Sequence, residues 1–201
     1  MVVMDDLELL NAWRAGDAAA GRGLFQRYFP QLYRFFANKV DDPDELVQQT
    51  FLAIVKAREQ FAGRSSFRTY LFTVARHELY HHLRGLQRAR SFDPERSSIA
   101  DLATGAGAKL ARHQQHQLLC AALRRLPVEQ QTLLELHYWD GLDAGQLAEV
   151  LESNAAAIRN RLHRARVALR EAMLATEGVP ADSIATVEAV DALARGVISA
   201  A

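Results

Sequence analysis

The sequence predicts an all-α protein: two small helical domains joined by a flexible linker, with a C-terminal tail. Three observations predict it. Strand signals are scarce. Apolar residues recur at spacings of three and four along most of the 201 residues. One stretch, 85–114, loses that pattern and collects Gly85, Pro94, Gly105, Gly107 and several serines. A structureless loop of that length is unusual inside one compact domain, so it separates two. The boundaries read as 5–84, 85–114, 115–174 and 175–201.

The first domain opens with an apolar stripe, Leu24, Phe25, Tyr28, Leu32, Phe35 and Phe36, in which Pro30 marks a kink or a break. DDPDELVQQTFLAIVKA comes next. Pro43 suits the first turn of a helix, and the acids around it favour the positive end of the helix dipole. Leu46, Val47, Thr50, Phe51, Ile54 and Val55 fit the core. Glu45, Gln48, Gln49, Leu52 and Lys56 fall on the other face, where Leu52 among polar groups suggests a protein contact. A loop from Glu59 to Ser65 leads into SSFRTYLFTVARHELYHHLR, a long helix capped by Ser65 or Ser66. Phe67, Leu71, Val74, Ala75 and Leu79 point inward. Arg68, Thr69, Arg76, His77, His81 and Arg84 are expected outward. Aromatics among arginines suit unstacked single-stranded bases, with Tyr70 and Phe72 open to either role.

The linker is expected to hold a brief helical turn around Ile99–Leu102. The second domain ends in GLDAGQLAEVLESNAAAIRNRLHRARVALRE, Gly141 to Glu171. This reads as two short helices joined by a tight turn, with Asn154 capping the second. Ile158, Leu162, Ala165 and Leu169 make its buried stripe. Arg159, Arg161, Arg164, Arg166, Arg170 and His163 make it basic, with no acid from Ala155 to Arg170. A helix of that kind fits a DNA major groove; a solvated basic helix of a bundle is the plainer alternative. In the tail, Val187, Val190, Ala194 and Val197 share one face of a short amphipathic helix. That helix is expected to dock back on the protein or on a partner, without being required for DNA recognition.

Charge narrows the function class by its distribution. The formal net charge is zero. Four acids crowd residues 41–45, and six arginines against Glu78 alone fill residues 64–90. The single Cys120 excludes an internal disulfide and, within LLCAAL, reads as a buried inert thiol. The acidic start reads as neither signal peptide nor anchor, and no run reaches the ~20 apolar residues of a membrane span. A cytoplasmic protein is expected. HELYH, His77 to His81, matches H-E-x-x-H, which places two imidazoles on one helical face beside a glutamate. A catalytic zinc needs a third protein ligand. The extended motif would put Gly and His where Arg84 and Gln87 stand, so no metal, cofactor or catalytic residue is expected. A zinc hydrolase survives only as a remote alternative.

In order, these parts resemble the extracytoplasmic-function class of bacterial RNA polymerase sigma factors, in the sigma-70 family. LFQRYFPQLYRFF is similar to the start of region 2. DELVQQTFLAIVKA resembles the polymerase-binding helix, and SFRTYLFTVARHELYHHLR the helix that melts and reads the −10 element. LRRLPVEQQTLLELHYWDGLDAGQLAEVL with IRNRLHRAR is similar to region 4, which reads the −35 element. The resemblance covers about Asp5–Leu174. It implies a non-enzymatic factor that directs core RNA polymerase to promoters, with core polymerase and promoter DNA as partners and an anti-sigma factor as a further one. It assigns Glu45, Gln48, Gln49, Leu52 and Lys56 to polymerase. It assigns Arg64, Ser66, Arg68, Thr69, Tyr70, Arg76, His77, His81 and Arg84 to the −10 element, and Arg159, Asn160, His163, Arg164 and Arg166 to the −35 element. Members usually carry Gly in the turn where Leu151-Glu152-Ser153 stands, and often Asn where His77 stands. A helix-turn-helix regulator acting without polymerase is the rival reading. It would need a dimer and leaves the first domain unexplained.

Overall fold

A computed structural model of the chain describes residues 4–58, 61, 63, 65–86, 92–102, 114–176, 184 and 186–199. The described residues form helices and connections, in the order α1 (Asp6–Arg14), α2 (Ala18–Ala37), α3 (Pro43–Ala57), α4 (Phe67–Leu86), α5 (Ile99–Leu102), α6 (Gln114–Leu123), α7 (Val128–Tyr138), α8 (Ala144–Val150), α9 (Ala155–Leu174) and α10 (Val187–Ser199).

Local chemistry sets the helix starts. Asp5 and Glu8 form a reciprocal capping box on α1, and Asp143 with Gln146 does the same for α8. Asp42 accepts from the Glu45 amide with Pro43 in the first turn of α3. Ser66, not Ser65, caps α4, its Oγ accepting from the Thr69 amide at 3.0 Å. Asn154 caps α9 by accepting from the Ala157 amide at 2.8 Å. Of the kink or break expected at Pro30, the break does not occur: α2 continues through it from Ala18 to Ala37. Proline inside a helix costs about 3 kcal/mol. Burial of Leu24, Tyr28, Leu32, Phe35 and Phe36 on one face of α2 offsets it, at roughly 1.5–3 kcal/mol per large side chain.

Helices α1–α4 pack around Leu10, Leu24, Leu32, Phe36, Leu46, Ile54, Leu71, Phe72 and Leu79, all essentially inaccessible. Phe72 is thereby a core residue. Gly21 is needed where α1 crosses α2: a Cβ there would lie 2.7 Å from the Trp13 indole. Helices α6–α9 pack around Leu119, Leu133, Leu134, Leu136, Leu147, Val150, Ile158, Leu162 and Leu169. The linker segment around α5 lies on this second unit. The Val128 amide donates to the Ser97 carbonyl, the Glu129 amide to Pro94 and the Ala100 amide to Arg124. Helix α10 lies on the same unit, with Val190 and Ala194 fully buried; the Val197 side chain is outside the described residues.

The two units touch. Helix α4 packs on α8, and α2 on α7. Lys39, in the turn after α2, is buried, donating from Nζ to the Phe35 carbonyl at 2.6 Å and to Glu135 of α7. Asn38 donates to the other oxygen of Glu135 at 3.2 Å. Asp140, itself buried, receives Arg34 at 3.0 Å and faces Arg68 at 3.8 Å. Burial pushes its carboxyl upward, against the pull of both guanidinium groups.

Candidate nucleic-acid and polymerase interfaces

Three surfaces carry the polar residues that the sequence singles out. On α3, the 3.6-residue period sends Leu46, Val47, Thr50 and Ile54 inward. Glu45, Gln48 and Lys56 are exposed, Gln49 is half-buried and bonded to Glu45 at 3.0 Å, and Leu52 is 49% exposed. Beside them runs an apolar groove of about 240 Å³, floored by Phe25, Val47, Phe51 and Val55 and edged by Phe29 and Leu52. Phe29 is 44% exposed. The sequence reading placed Leu52 outward and missed Phe29. Its signal was an aromatic on α2 that falls between the positions of the buried stripe.

Helix α4 departs from expectation. Ser66, His77, His81 and Arg84 are exposed and Tyr70 is half-buried against Phe61, ring centroids 4.8 Å apart. Thr69 and Arg76, however, are buried, not outward. Arg68 is half-buried and donates to the Asp140 carbonyl. The second unit engages both arginines: α8 packs on α4, and Asp140 and Glu152 receive Arg68 and Arg76. Arg76 meets Glu152 at 2.8 Å, and His77 meets the same carboxylate at 3.3 Å. The Arg76 guanidinium also lies 2.9 Å from His77 Nε2. The Arg76 hydrogen bond, and then its charge and that of His77, hold the Glu152 carboxyl below the ordinary range, with burial opposing them. Glu152 sits in the turn between α8 and α9 with φ of 51°, left-handed backbone that favours glycine. Arg64 lies outside the described residues. Among the described residues, no cluster of three histidine, cysteine or carboxylate groups could hold a metal.

The third surface is α9. Arg159, Asn160, His163 and Arg164 are exposed, while Ile158, Leu162, Ala165, Leu169 and Met173 are buried. Its remaining arginines are engaged within the protein. Arg161 pairs with Glu129 of α7 at 2.6 Å. Arg166 pairs with Asp191 of α10 at 2.9 Å and lies 3.1 Å from His137 Nε2. Arg170 donates to the Ile184 carbonyl at 3.0 Å. The basic helix therefore presents a free front near its N-terminus and a tied edge toward its C-terminus. Burial, followed by the Asp191 contact, raises the Tyr138 hydroxyl to about 12, so it stays protonated as a donor to Asp191. Cys120, expected to be buried, is half-buried; desolvation still pushes its thiol to about 12, which keeps it protonated.

Comparison with known proteins decides the family. The sigma-70 region 2 model matches residues 24–89, and the sigma-70 region 4 model matches residues 116–169. The chain belongs to the sigma-70 family. Region 2 of this sigma factor thus takes in most of α2 with α3 and α4, and region 4 most of α6 with α7–α9. The chain is 25% identical to the ECF RNA polymerase sigma factor SigX of Bacillus subtilis over 158 residues, covering 75% of this chain and 81% of that one. It is 24% identical to the ECF RNA polymerase sigma-E factor of Escherichia coli K12 over 177 residues, 83% and 93% of the two chains. The fold is shared with the sigma factor RpoE solved with the anti-sigma factor NepR from Bartonella quintana, at TM-score 0.57 and 21% identity, covering 78% of this chain and 99% of that one. CnrH, solved with the cytosolic domain of CnrY, gives 0.61 at 24% identity, covering 86% and 99%. No described helix of this sigma factor is long and apolar enough to cross a membrane.

Proposed function

We propose that this sigma factor binds core RNA polymerase through the outer face of α3, melts and reads the −10 element with α4, and reads the −35 element with α9. The supporting observation is one chain carrying both an open polar face with an apolar groove on α3 and an open basic front on α9. Glu45, Gln48, Gln49, Leu52 and Lys56 meet the polymerase, and Phe29 extends that contact along the groove. A flat polar face with apolar anchors suits a protein partner, since buried aromatic and aliphatic anchors carry most interface energy.

Arg159, Asn160, His163 and Arg164 face base edges in the major groove; a guanidinium reads guanine bidentately. Ser66, Tyr70, His77, His81 and Arg84, with Arg64, Arg68, Thr69 and Arg76, serve the −10 strand. Tyr70, half-open at the helix start, offers a ring on which a displaced base stacks. Thr69 and Arg76 reach DNA only when region 4 leaves α4. That surface is the one an anti-sigma factor would hold closed. The sigma factor itself acts in the cytoplasm and performs no chemistry of its own.

The test is association with core polymerase and transcription in vitro. The triple change Gln48→Lys, Gln49→Lys, Leu52→Glu should abolish copurification with core polymerase while the helical circular dichroism spectrum stays unchanged. Wild-type polymerase binding by that variant would remove α3 from the interface.

A further inference from the structure

Helix α10 belongs to neither family-matched region, yet it is seated on region 4. Its docking has two parts. Val190 and Ala194 are fully buried, with Leu193 packed against the core. Asp191, between them in sequence, reaches region 4 with its carboxylate. One oxygen accepts from Arg166 Nε at 2.9 Å and from the Tyr138 hydroxyl. The other is held by Arg195 at 2.8 Å, within α10 itself.

The position of Arg166 gives this contact its meaning. Residues 159, 163, 166 and 170 are spaced by four, three and four, which aligns them along one edge of a helix. In this chain they are Arg159, His163, Arg166 and Arg170, a continuous basic ridge that starts in the base-reading front and runs on toward the C-terminus of α9. The tail occupies its C-terminal half. Asp191 takes Arg166, and the Ile184 carbonyl, just before α10, takes Arg170 at 3.0 Å. Arg159 and His163 remain exposed. A carboxylate accepting from a guanidinium makes the same charge-assisted bond that a DNA phosphate would make.

We infer that α10 is an intramolecular phosphate mimic: Asp191 occupies Arg166 on the −35 recognition helix and restrains promoter binding until DNA displaces it. The inference rests on region 4 reading DNA through α9. The tail is then a negative tuner: region 4 binds without it, and more tightly.

The probe is a duplex carrying the −35 sequence that wild-type holoenzyme selects from a randomised library. Asp191→Asn keeps the shape of the side chain and removes its charge. It should tighten holoenzyme binding about two- to fivefold, the range of a partly exposed ion pair. In an Arg166→Ala background the same change should do nothing. Val190→Glu, which attacks the apolar seat of α10, should reproduce the tightening by another route and carries the test if Asp191→Asn disturbs folding. Unchanged or weaker binding by Asp191→Asn, or a gain that persists without Arg166, overturns the inference. Wild-type holoenzyme that selects no −35 sequence instead overturns the DNA-reading assignment of α9, and the inference falls with it.

Discussion

Glu152 shows how one residue joins two parts of this protein. Its backbone sits at φ of 51°, where a side chain costs about 1–2 kcal/mol relative to glycine. Its carboxylate binds Arg76 and His77 across the domain contact. Strain and ion pairing can be separated. Glu152→Gln keeps the backbone strain and removes the charge; Glu152→Gly removes both. Urea unfolding should find the glycine variant more stable than the glutamine variant by about 1 kcal/mol, and equal stabilities would show that the turn stores no strain. The wild-type contact should also depend on pH in a fixed direction. Glu152 is held below the ordinary carboxylate range in the folded state. Its contribution is therefore complete above that range and disappears as the pH falls through the lowered value.

At the scale of the element, α9 divides by depth and by end. Apolar spacing fixes its buried stripe, and the stripe leaves Arg159, Asn160, His163 and Arg164 exposed. Arg161, Arg166 and Arg170 share the same charge but spend it inside the protein. Selection from a randomised −35 library should separate the groups. Arg159→Ala or Arg164→Ala should relax preference at particular positions by about 1–3 kcal/mol each. Arg161→Ala should leave the selected sequence unchanged and act on stability through its half-buried partner Glu129. An altered sequence preference for Arg161→Ala alone would mean that α9 enters DNA by another face.

For the whole molecule, the decisive feature is the polar contact between regions 2 and 4. Lys39 and Glu135 are buried in it, and Asp140 draws Arg34 and Arg68 to the same seam. A buried ion pair adds little over a well-packed apolar pair, yet losing one partner strands the other charge. Lys39→Met should therefore cost about 3–5 kcal/mol in urea unfolding or open the two regions in small-angle scattering. Lys39→Met with Glu135→Leu should recover a large part of that loss. A double variant as weak as the single one would place the cost in lost packing of the lysine stem. Because Arg76 is held in that seam by Glu152 and α8 packs on α4, any opening should also expose α4.

The sequence by itself determined the main helices, the caps of α4 and α9 and the apolar stripes, because these depend on residues three or four positions apart. It likewise placed Glu45, Gln48, Leu52, Arg159, Asn160, His163 and Arg164 at the surface, since each lies off a strong local stripe. The resemblance of motifs in their order also identified the family. Tertiary structure alone decided the fate of the other polar groups. Thr69, Arg76 and Arg68 look outward on a lone helix, but α8 and Asp140 cover them. Arg166 looks like a free surface cation until α10 brings Asp191 to it. Phe29 lies off the buried stripe of α2, and only the placing of α3 beside it puts its ring at the rim of a groove. Periodicity states which side of a helix is apolar. It does not state which distant segment arrives on the polar side, and the partners of a buried charge come from there.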